Sequence, residues 1–233
     1  MAEGATADYY ASALSGDRLR RCYAVAPPRV QRYLDAEIDF VVSELQRGDT
    51  VLELGCGYGR VCQRLTGVAG RVVGIDTSTE SLSLAHSLAG TESKCEFLRM
   101  DASDLAFGDG EFDAVVCVQN GICAFGVDRS VLLREAVRVT RPGGRALFST
   151  YAPGFWSHRL EWFEAQAQAG LIGELDTELT HAGTIVCKDG LRLGAMGRED
   201  LLALGDVIGM SPEIIEVDGS SLFAVWAVSV LSN

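Results

Sequence analysis

A short apolar run that ends in three glycines at alternate positions constrains this chain more than any other feature. The run from Val51 to Leu54 has the pattern of a buried strand, and a helical pattern begins at Tyr58. Gly55, Gly57 and Gly59 stand at the turn between them. Glycine permits backbone conformations that are closed to other residues, and it lets a ligand approach the main chain closely. The pattern therefore predicts a ligand site built from backbone at the end of a strand.

The residues that flank this turn distinguish between two kinds of nucleotide ligand. The dinucleotide fingerprint is G-x-G-x-x-G, and it places a pyrophosphate at the helix N-terminus. Here the third glycine comes one residue early, and Arg60 stands where that fingerprint has Gly or Ala. The Glu53 carboxylate beside the turn would repel a pyrophosphate, but it would attract an ammonium group. S-adenosylmethionine has an ammonium group, a sulfonium and no phosphate, so the turn favours it over a dinucleotide.

Four more apolar runs follow the turn and alternate with helical patterns. Strands are predicted at Arg71 to Asp76, Cys95 to Met100, Phe112 to Val118 and Arg145 to Thr150. Helices are predicted at Tyr58 to Leu65, Thr79 to Leu88 and Asp128 to Thr140. This alternation is typical of crossover units and a parallel sheet. Asp76 ends the second strand about 20 residues past the glycines, the spacing at which an acid reaches a ribose hydroxyl.

Four motifs give the chain a family resemblance. They are E-L-G-C-G-Y-G at the first strand, G-I-D at the second, M-D-A at the third and R-P-G-G before the fifth. With them the chain resembles the class I S-adenosylmethionine-dependent methyltransferases. The resemblance implies an α/β fold with a doubly wound, mostly parallel seven-stranded sheet and an antiparallel last strand. A closing hairpin from Glu213 to Val217 and from Leu222 to Val230 resembles that last part.

By position, the resemblance implies two groups of cofactor contacts. The methionine end of S-adenosylmethionine would be bound by Glu53, Gly55, Cys56, Gly57, Gln119 and Asn120. Its nucleoside would be bound by Asp76, Thr77, Asp101 and Ala102. Within these groups Glu53 would support the ammonium group, Asp76 the ribose hydroxyls, and Asp101 the adenine amino group. The product of the reaction would be S-adenosylhomocysteine.

The chain of 233 residues is predicted to form a single methyltransferase domain in four parts. Residues 1–47 are an N-terminal helical lid, with a long amphipathic helix from Pro28 to about Leu45, and residues 48–150 are the cofactor-binding core. Residues 151–196 are an inserted cap over the substrate, in which Asp189-Gly190 marks a hairpin turn. Residues 197–233 are a closing helix and strand hairpin.

Aromatic residues of the lid and the cap are predicted to form the substrate pocket. Tyr10, Tyr23, Tyr151 and Trp156 would make an electron-rich wall near the sulfonium, because aromatic faces attract cations. Tyr10 lies in an N-terminal segment that is suited to be a lid. For Trp156 the helical spacing with later residues leaves a second interpretation open, which is a simple packing face.

The chemistry of methyl transfer does not by itself identify a catalytic residue in this sequence. Direct in-line displacement needs a nucleophile held behind the activated methyl, and it needs a general base only if that nucleophile must lose a proton. Tyr10, Asn120 and His158 are catalytic candidates, and His181 is a further general-base candidate. Gln119-Asn120-Gly121-Ile122 stands in place of the Asn/Asp-Pro-Pro-aromatic pattern of many nucleic-acid amino methyltransferases. The acceptor is accordingly predicted to be a small molecule.

Composition limits the classes of partner and the cellular compartment that we expect for this protein. A formal net charge of −12 argues against a nucleic-acid footprint, which needs clustered Lys and Arg, and against anionic membranes. The N-terminus lacks the apolar core of a signal peptide, and the apolar run Phe223 to Leu231 is too short to span a bilayer. The seven cysteines show neither a C-x-x-C pair nor zinc spacing. These features predict a soluble cytoplasmic protein with no metal, no nucleic-acid partner and no membrane partner.

Two alternative functions stay open at this point. A nicotinamide-dependent oxidoreductase would share the sheet and Asp76, but it leaves Glu53 and the early third glycine unexplained. A non-catalytic S-adenosylmethionine-binding protein would keep the glycine turn and both cofactor acids. The sequence identifies neither the methyl acceptor nor the oligomeric state.

Overall fold

A seven-stranded sheet forms the centre of the protein in the computed structural model, which describes residues 9–90, 93–181 and 183–229. In chain order the strands are β1 (Thr50–Leu54), β2 (Arg71–Asp76), β3 (Cys95–Arg99), β4 (Phe112–Cys117), β5 (Thr140–Tyr151), β6 (Ile185–Val186), β7 (Arg192–Leu193), β8 (Glu213–Val217) and β9 (Ser221–Ala227). The large sheet has the order β3-β2-β1-β4-β5-β9-β8, and β6 and β7 form a separate antiparallel pair. Within the strands described for the large sheet, β9 runs in the opposite direction to the other six.

Helices connect the strands and cover the sheet. In chain order they are α1 (Gly16–Ala24), α2 (Pro28–Glu44), α3 (Arg60–Leu65), α4 (Thr79–Ala89), α5 (Arg129–Val139), α6 (Trp156–Gln168) and α7 (Arg198–Ile208). Side chains cap two of them: Ser78 accepts a hydrogen bond from the Ser81 N–H at α4, and Asp128 accepts one from the Ser130 N–H at α5. Among the described residues, no helix is both long and apolar enough to cross a membrane.

The parallel strands are buried on both faces, which is why their sequences are nearly continuous apolar runs. Val51 and Val72 face α2, α3 and α4 in one hydrophobic cluster. Leu52 and Val73 face α5 and α7 in another cluster on the opposite side. Neighbouring residues divide between the clusters because successive side chains of a strand point to opposite faces. The predicted doubly wound, mostly parallel sheet is confirmed, as is its antiparallel last strand.

The segments predicted as lid and cap pack against each other. One hydrophobic cluster joins the helical turn Tyr9–Ala13 and α1 to α6 and the β6–β7 pair, and another joins α2 to α6. Hydrogen bonds reinforce both contacts. The Tyr9 hydroxyl donates to Oδ2 of Asp189 across 2.6 Å, and the Trp162 indole N–H donates to the carbonyl of Cys22 across 2.8 Å. The N-terminal segment and the segment after β5 therefore form one connected covering.

Three boundaries differ from the sequence prediction by more than one residue. The first core helix, α3, begins at Arg60 because Gly59 has a φ of 79°, which lies outside the helical region. The strand β5 already begins at Thr140, so the R-P-G-G segment belongs to it and produces a register shift against β4. The last strand, β9, ends at Ala227, and the predicted end at Val230 lies outside the described residues.

Phe148 provides a test of the packing against the sheet. Its ring is fully buried on β5, where it meets the Trp226 ring edge-on with the centroids 5.8 Å apart. We expect Phe148→Ala to lower the free energy of unfolding by about 3–5 kcal/mol, because it removes buried area and leaves a cavity. Val207→Ala, at a residue that is 58% exposed, should change it by less than about 0.5 kcal/mol. Urea unfolding measures both, and similar values for the two variants would contradict the packing.

Candidate active site at the carboxyl ends of the parallel strands

A cavity of about 490 Å³ opens at the carboxyl ends of the parallel strands, near the switch point between β1 and β4. Ligands bind at this place in open α/β sheets, and the volume suits a small molecule. The wall comes from the loops after four strands and from the segments predicted as lid and cap. The loops contribute the glycine turn, Asp76-Thr77, Asp101-Ala102 and Gln119-Asn120, the lid contributes Tyr10, Leu19 and Tyr23, and the cap contributes Leu193.

The glycine turn after β1 depends on the absence of side chains. Gly55, Gly57 and Gly59 have φ values of 72°, 54° and 79°, all in the left-handed region. A Cβ on Gly59 would lie 2.7 Å from Cζ of Phe97, and a Cβ on Gly55 would lie 3.0 Å from Cζ of Phe125. Both backbone conformation and space therefore require glycine, and the main chain is left accessible to a ligand.

Asp76, at the end of β2, holds this turn in place. Its Oδ2 accepts a hydrogen bond from the Gly57 N–H at 2.9 Å, and its Oδ1 accepts one from the Ser78 N–H at 2.8 Å. Burial raises the pKa of the Asp76 carboxyl, and these backbone hydrogen bonds oppose the rise. Each carboxylate oxygen keeps a further lone pair. Asp76 can thus accept hydrogen bonds from ligand hydroxyls while it fixes the turn.

Glu53, within β1, is a second acid of the cavity wall, and only 3% of its surface is exposed. The Cys62 thiol on α3 donates a hydrogen bond to Oε2 of Glu53 across 2.8 Å. Burial raises the pKa of Glu53 to about 7, although this hydrogen bond and the positive charge of Arg60 lower it. A cation bound beside Glu53 would favour its charged form.

Asp101 is the third acid of the wall, and it is exposed. Its Oδ1 accepts hydrogen bonds from the N–H and the hydroxyl of Ser103, at 2.8 Å and 2.7 Å. The adjacent Ala102 is buried and also lines the cavity. Within the described wall these three acids are accompanied by one basic side chain, that of Arg60. The cavity is therefore suited to a ligand with positive charge.

This architecture can be compared with that of known proteins. A family model described as a methyltransferase domain matches residues 52–148. The matched residues run from β1 to β5, and they include the glycine turn and all three acids of the cavity wall. The core of this chain is a class I methyltransferase domain.

Similar proteins agree with this assignment. The chain is 33% identical over 138 residues to the 2-methyl-6-phytyl-1,4-hydroquinone methyltransferase of Synechocystis, a match to 55% of this chain and 43% of that protein. It is 32% identical over 126 residues to the ubiquinone biosynthesis O-methyltransferase of Hydrogenovibrio crunogenus, a match to 53% of this chain and 51% of that protein. The crystal structure of a Pyrococcus horikoshii OT3 protein matches with a TM-score of 0.68 at 22% identity, over 95% of this chain and 98% of that one.

The matches to the curated methyltransferases are partial. The chain spans about half the length of the curated relatives it matches. The segments predicted as lid and cap, residues 1–47 and 151–196, lie outside the residues 52–148 that the family model matches. Neither the alternative of a nicotinamide-dependent oxidoreductase nor that of a non-catalytic protein finds support in these comparisons.

The turn after β4 of the methyltransferase domain has an unusual backbone. Gln119 and Asn120 have left-handed φ values of 57° and 60°, which are uncommon for residues other than glycine. The Gln119 N–H donates to Oε2 of Glu37 at 2.9 Å and to the hydroxyl oxygen of Ser149 at 2.8 Å. The Tyr23 hydroxyl donates to Oε1 of Gln119 at 2.8 Å. Contacts from α1, α2 and β5 thus hold this turn in its strained conformation.

Asn120 joins the methyltransferase core to the cap, and it is 1% exposed. Its Nδ2 donates to the carbonyl of Gly194 at 2.9 Å, and its Oδ1 accepts from the Thr150 hydroxyl at 2.9 Å. The protein therefore engages both polar atoms of the side chain. This geometry favours a positioning role for Asn120 over the catalytic role considered from the sequence.

Glu37 is a residue of the site that the sequence prediction missed. It is completely buried on α2, and its Oε1 accepts a hydrogen bond from the Ser221 hydroxyl at 2.7 Å. Burial raises the pKa of Glu37 to about 7, against the hydrogen bonds that it accepts. The available signal was its spacing on α2, because it falls on the same face as the buried residues Tyr33 and Val41.

Tyr10 and Tyr23 lie in the cavity wall, as the sequence predicts. The Tyr23 ring meets the Tyr58 ring edge-on at a centroid distance of 5.8 Å, and the Arg60 guanidinium lies 5.0 Å from the centre of the Tyr23 ring. Burial raises the pKa of both Tyr10 and Tyr23, so both phenols are neutral near pH 7. Their contact with a substrate stays a prediction.

Two aromatic residues predicted for the pocket lie away from the described cavity wall. Tyr151 packs against Tyr33 and Phe155 at centroid distances of 5.4 Å and 6.1 Å. Trp156 packs in the cluster that joins α6 to the N-terminal turn, which agrees with the packing interpretation of its helical spacing. Both rings serve the contact between the lid and the cap, and this contact could not be deduced from local sequence.

The histidine candidates also lie away from the described cavity wall. His158 on α6 is 41% exposed in its side chain, and its Nδ1 lies 3.7 Å from Oε2 of Glu161. The buried side of α6 carries Trp162 and Phe163 instead. His181 is exposed and pairs through its backbone with Thr184 in the cap. The geometry therefore does not support the general-base role considered for either histidine.

The buried carboxyl of Glu37 predicts a pH dependence of stability. Its pKa is about 7 in the folded protein and 4.5 in its ordinary state, so the folded state binds the proton more tightly. This contribution stabilises the fold at low pH and is lost as the pH rises from about 4.5 through about 7. We expect the free energy of unfolding of Glu37→Gln to depend less on pH than that of the wild type, by up to about 3 kcal/mol between pH 5 and 8. Denaturant unfolding across this pH range measures the difference, and parallel curves would contradict the assignment.

Proposed function

We propose that this protein transfers a methyl group from S-adenosylmethionine to a small-molecule acceptor by direct in-line displacement. The observation that carries the proposal is the charge of the cavity wall, where Glu53, Asp76 and Asp101 gather around the glycine turn. Such a wall attracts a ligand with an ammonium group and a sulfonium, and it repels a pyrophosphate. The match of residues 52–148 to a methyltransferase domain supports the same conclusion.

The residues around the cavity fit this cofactor. Glu53 and the backbone of the glycine turn would hold the amino-acid end, and Asp76 would accept hydrogen bonds from the ribose hydroxyls. Asp101 would accept one from the adenine amino group, with Thr77 and Ala102 beside the ring. The neutral donors that satisfy Asp76 leave its negative charge uncompensated, which favours a hydroxyl-rich or cationic ligand.

Two nitrogen atoms beside the cavity support the fit independently. Nη2 of Arg60 and Nε2 of Gln119 are buried and have no hydrogen-bond partner among the described residues, although both residues line the cavity. A buried donor without a partner costs about 1–3 kcal/mol, so such atoms are expected to meet an acceptor when a ligand binds. The carboxylate of the cofactor would supply acceptor oxygens for these two donors.

The proposed reaction requires little acid–base catalysis from this chain. The sulfonium of S-adenosylmethionine supplies an activated methyl group. The protein would align the acceptor and exclude water, and Tyr10 and Tyr23 from the lid would cover the reacting atoms. Both phenols are neutral, and no described histidine lines the cavity. We therefore expect an acceptor whose nucleophilic atom reacts without a protein base.

The part of the wall away from the three acids is apolar. Leu19, Phe125, Val127 and Leu193 supply it together with the two tyrosines. Such a surface fits an apolar or aromatic acceptor better than a strongly hydrated one. Two similar methyltransferases are named for a phytyl hydroquinone and for ubiquinone biosynthesis, and these names support an aromatic acceptor.

We also propose that the protein acts in the cytoplasm, without a nucleic-acid or membrane partner. Its seven cysteines are all free, which fits a reducing compartment. The net charge of −12 disfavours contact with polyanions.

Asp76→Ala tests the proposed cofactor site. We expect the affinity for S-adenosylhomocysteine to fall at least tenfold (about 1.4 kcal/mol), because the variant loses both the ribose acceptor and the bond that holds Gly57. Asp206→Ala, at an exposed acid on α7, should bind as the wild type does. Isothermal titration calorimetry with S-adenosylhomocysteine and with NADH measures the binding. Binding of NADH alone, or equal affinities for the two variants, would contradict the proposal.

A further inference from the structure

An arginine is buried in the segment predicted as cap, directly behind the cavity wall. Arg159, on α6, is 1% exposed. Its Nη2 donates hydrogen bonds to the carbonyls of Leu193 at 2.8 Å and Gly194 at 3.1 Å, and its Nη1 donates to the carbonyl of Gly183 at 2.6 Å. Leu193 lines the cavity, and so does Asn120, whose Nδ2 donates to the same Gly194 carbonyl. Arg159 is thus one residue away from the wall at two places.

The positive charge of Arg159 has no acid to balance it. The acceptors described for its guanidinium are neutral carbonyls, and none of the described residues forms a salt bridge with it. The guanidinium carbon lies 4.4 Å from the centre of the Tyr151 ring, and 5.8 Å and 5.7 Å from those of Trp156 and Phe163. Its Nε is buried and has no hydrogen-bond partner among the described residues. Arginine is rarely buried without an acid, so an uncompensated charge at this place indicates a function.

The titratable side chains near Arg159 do not offset its charge. Burial raises the pKa of Tyr10, Tyr151 and Cys123, and the charge of Arg159, which lowers each of them, does not reverse this. All three groups are therefore neutral near pH 7. Glu37, on α2, raises the pKa of Tyr151 by less than Arg159 lowers it. Because Tyr10 lines the cavity, the positive potential of Arg159 extends to the wall.

The cavity accordingly has two sides of different charge. The three acids of the wall gather around the glycine turn, where Arg60 also lies and, against the effect of burial, lowers the pKa of Glu53. The apolar part of the wall includes Tyr10 and Leu193, and it has the guanidinium of Arg159 behind it. The acidic side suits the cationic cofactor. The apolar side suits a molecule that is itself largely apolar and carries a negative charge.

We propose that Arg159 determines the class of the methyl acceptor, which is an aromatic hydroxyl compound that binds as its oxyanion. This inference rests on the proposed function and specifies its substrate. The apolar wall fits the aromatic ring, and the positive potential of Arg159 favours loss of the hydroxyl proton to solvent on binding. Arg159 does not line the cavity, so it is a positioning residue that acts through its charge and through the backbone of Leu193.

An acceptor bound as its oxyanion needs no protein base. Its oxygen attacks the methyl carbon of S-adenosylmethionine, the bond between that carbon and sulfur breaks, and the electron pair of the broken bond stays on sulfur. The products are a methyl ether and S-adenosylhomocysteine, and the negative charge of the oxygen cancels the positive charge of the sulfonium. This step agrees with a wall in which no described histidine is found and in which the phenols of Tyr10 and Tyr23 are neutral.

The first experiment measures whether the wild type prefers an aromatic oxyanion. The probe is para-nitrophenol, whose anion is yellow, and it is titrated against the full chain saturated with S-adenosylhomocysteine, which carries no sulfonium charge. We expect the pKa of the bound probe to lie about 1 below that of the free probe, which is about a tenfold preference for the anion. The affinity for para-nitroanisole, the methyl ether of the probe, should depend much less on pH. A probe that does not bind, or that ionises no more readily when bound, would overturn the proposal.

The second experiment tests whether Arg159 is the source of this preference. We expect Arg159→Met to lose the preference for the anion, because it removes the charge and keeps a long side chain. Arg159→Lys should retain most of the preference, because it keeps the charge although it cannot form all three hydrogen bonds. Arg198→Met, which removes the charge of an exposed arginine on α7, should behave as the wild type does. Equal losses in Arg159→Met and Arg159→Lys would indicate a packing role and would overturn the proposal. If Arg159→Met does not fold, Arg159→Lys and the first experiment decide.

Binding of S-adenosylhomocysteine to the same samples separates this inference from the proposed function, and isothermal titration calorimetry measures it. A wild type that binds S-adenosylhomocysteine but shows no preference for the anion would contradict the role of Arg159 alone. A wild type that fails to bind S-adenosylhomocysteine would contradict the proposed function. The probe titrated against the chain alone would then decide whether Arg159 creates a site for an aromatic oxyanion.

Discussion

The central strands of this protein are buried on both faces. This constraint determines where polar side chains can reach a ligand. Helices cover both faces of the sheet, so a polar side chain on these strands reaches a ligand only where a strand ends. The turn after β1 and the acids after β2 and β3 therefore meet at one edge. The glycine turn needs the adjacent Asp76 for its backbone hydrogen bond, which couples the fold of the core to the geometry of the site.

Two carboxyls near this edge of the sheet, those of Glu37 and Glu53, are buried. Their hydrogen-bond donors are hydroxyl, thiol and backbone N–H groups, and neither is described in a salt bridge. Neutral donors satisfy the oxygens without compensating the charge, so burial dominates and the pKa of both groups rises to about 7. The ionisation of Glu53 therefore depends on the ligand in the cavity. The ionisation of Glu37 depends on its contact with the turn after β4.

The sequence predicted the parts of the structure that depend on local pattern. The alternation of apolar runs and helices predicted the sheet, and the spacing from the glycines to Asp76 predicted their shared edge. Glu37 was missed because its role depends on contacts with Gln119 and Ser221, which are distant in sequence. The misplacement of Tyr151 has the same origin, since the orientation of an inserted cap is determined by packing against α2 and not by its own periodicity.

The N-terminal segment, which contributes Tyr10, Leu19 and Tyr23 to the cavity wall, is attached at two places. One attachment is to the core, and the other is to the segment predicted as cap. Before α1, the Ser15 hydroxyl donates to Oε2 of Glu80 at 2.7 Å and the Gly16 N–H donates to the Ser81 hydroxyl oxygen at 3.0 Å, so this end is fastened to the core. The turn that begins at Tyr9 is fastened to the cap through Asp189. For protein engineering, the contact between the N-terminal turn and Asp189 lies on surfaces that can be exchanged. The contact of Ser15 and Gly16 with the core lies on surfaces that cannot. The segment predicted as cap and the N-terminal turn can be redesigned together, while the hydrogen bonds of Ser15 and Gly16 to the core are kept.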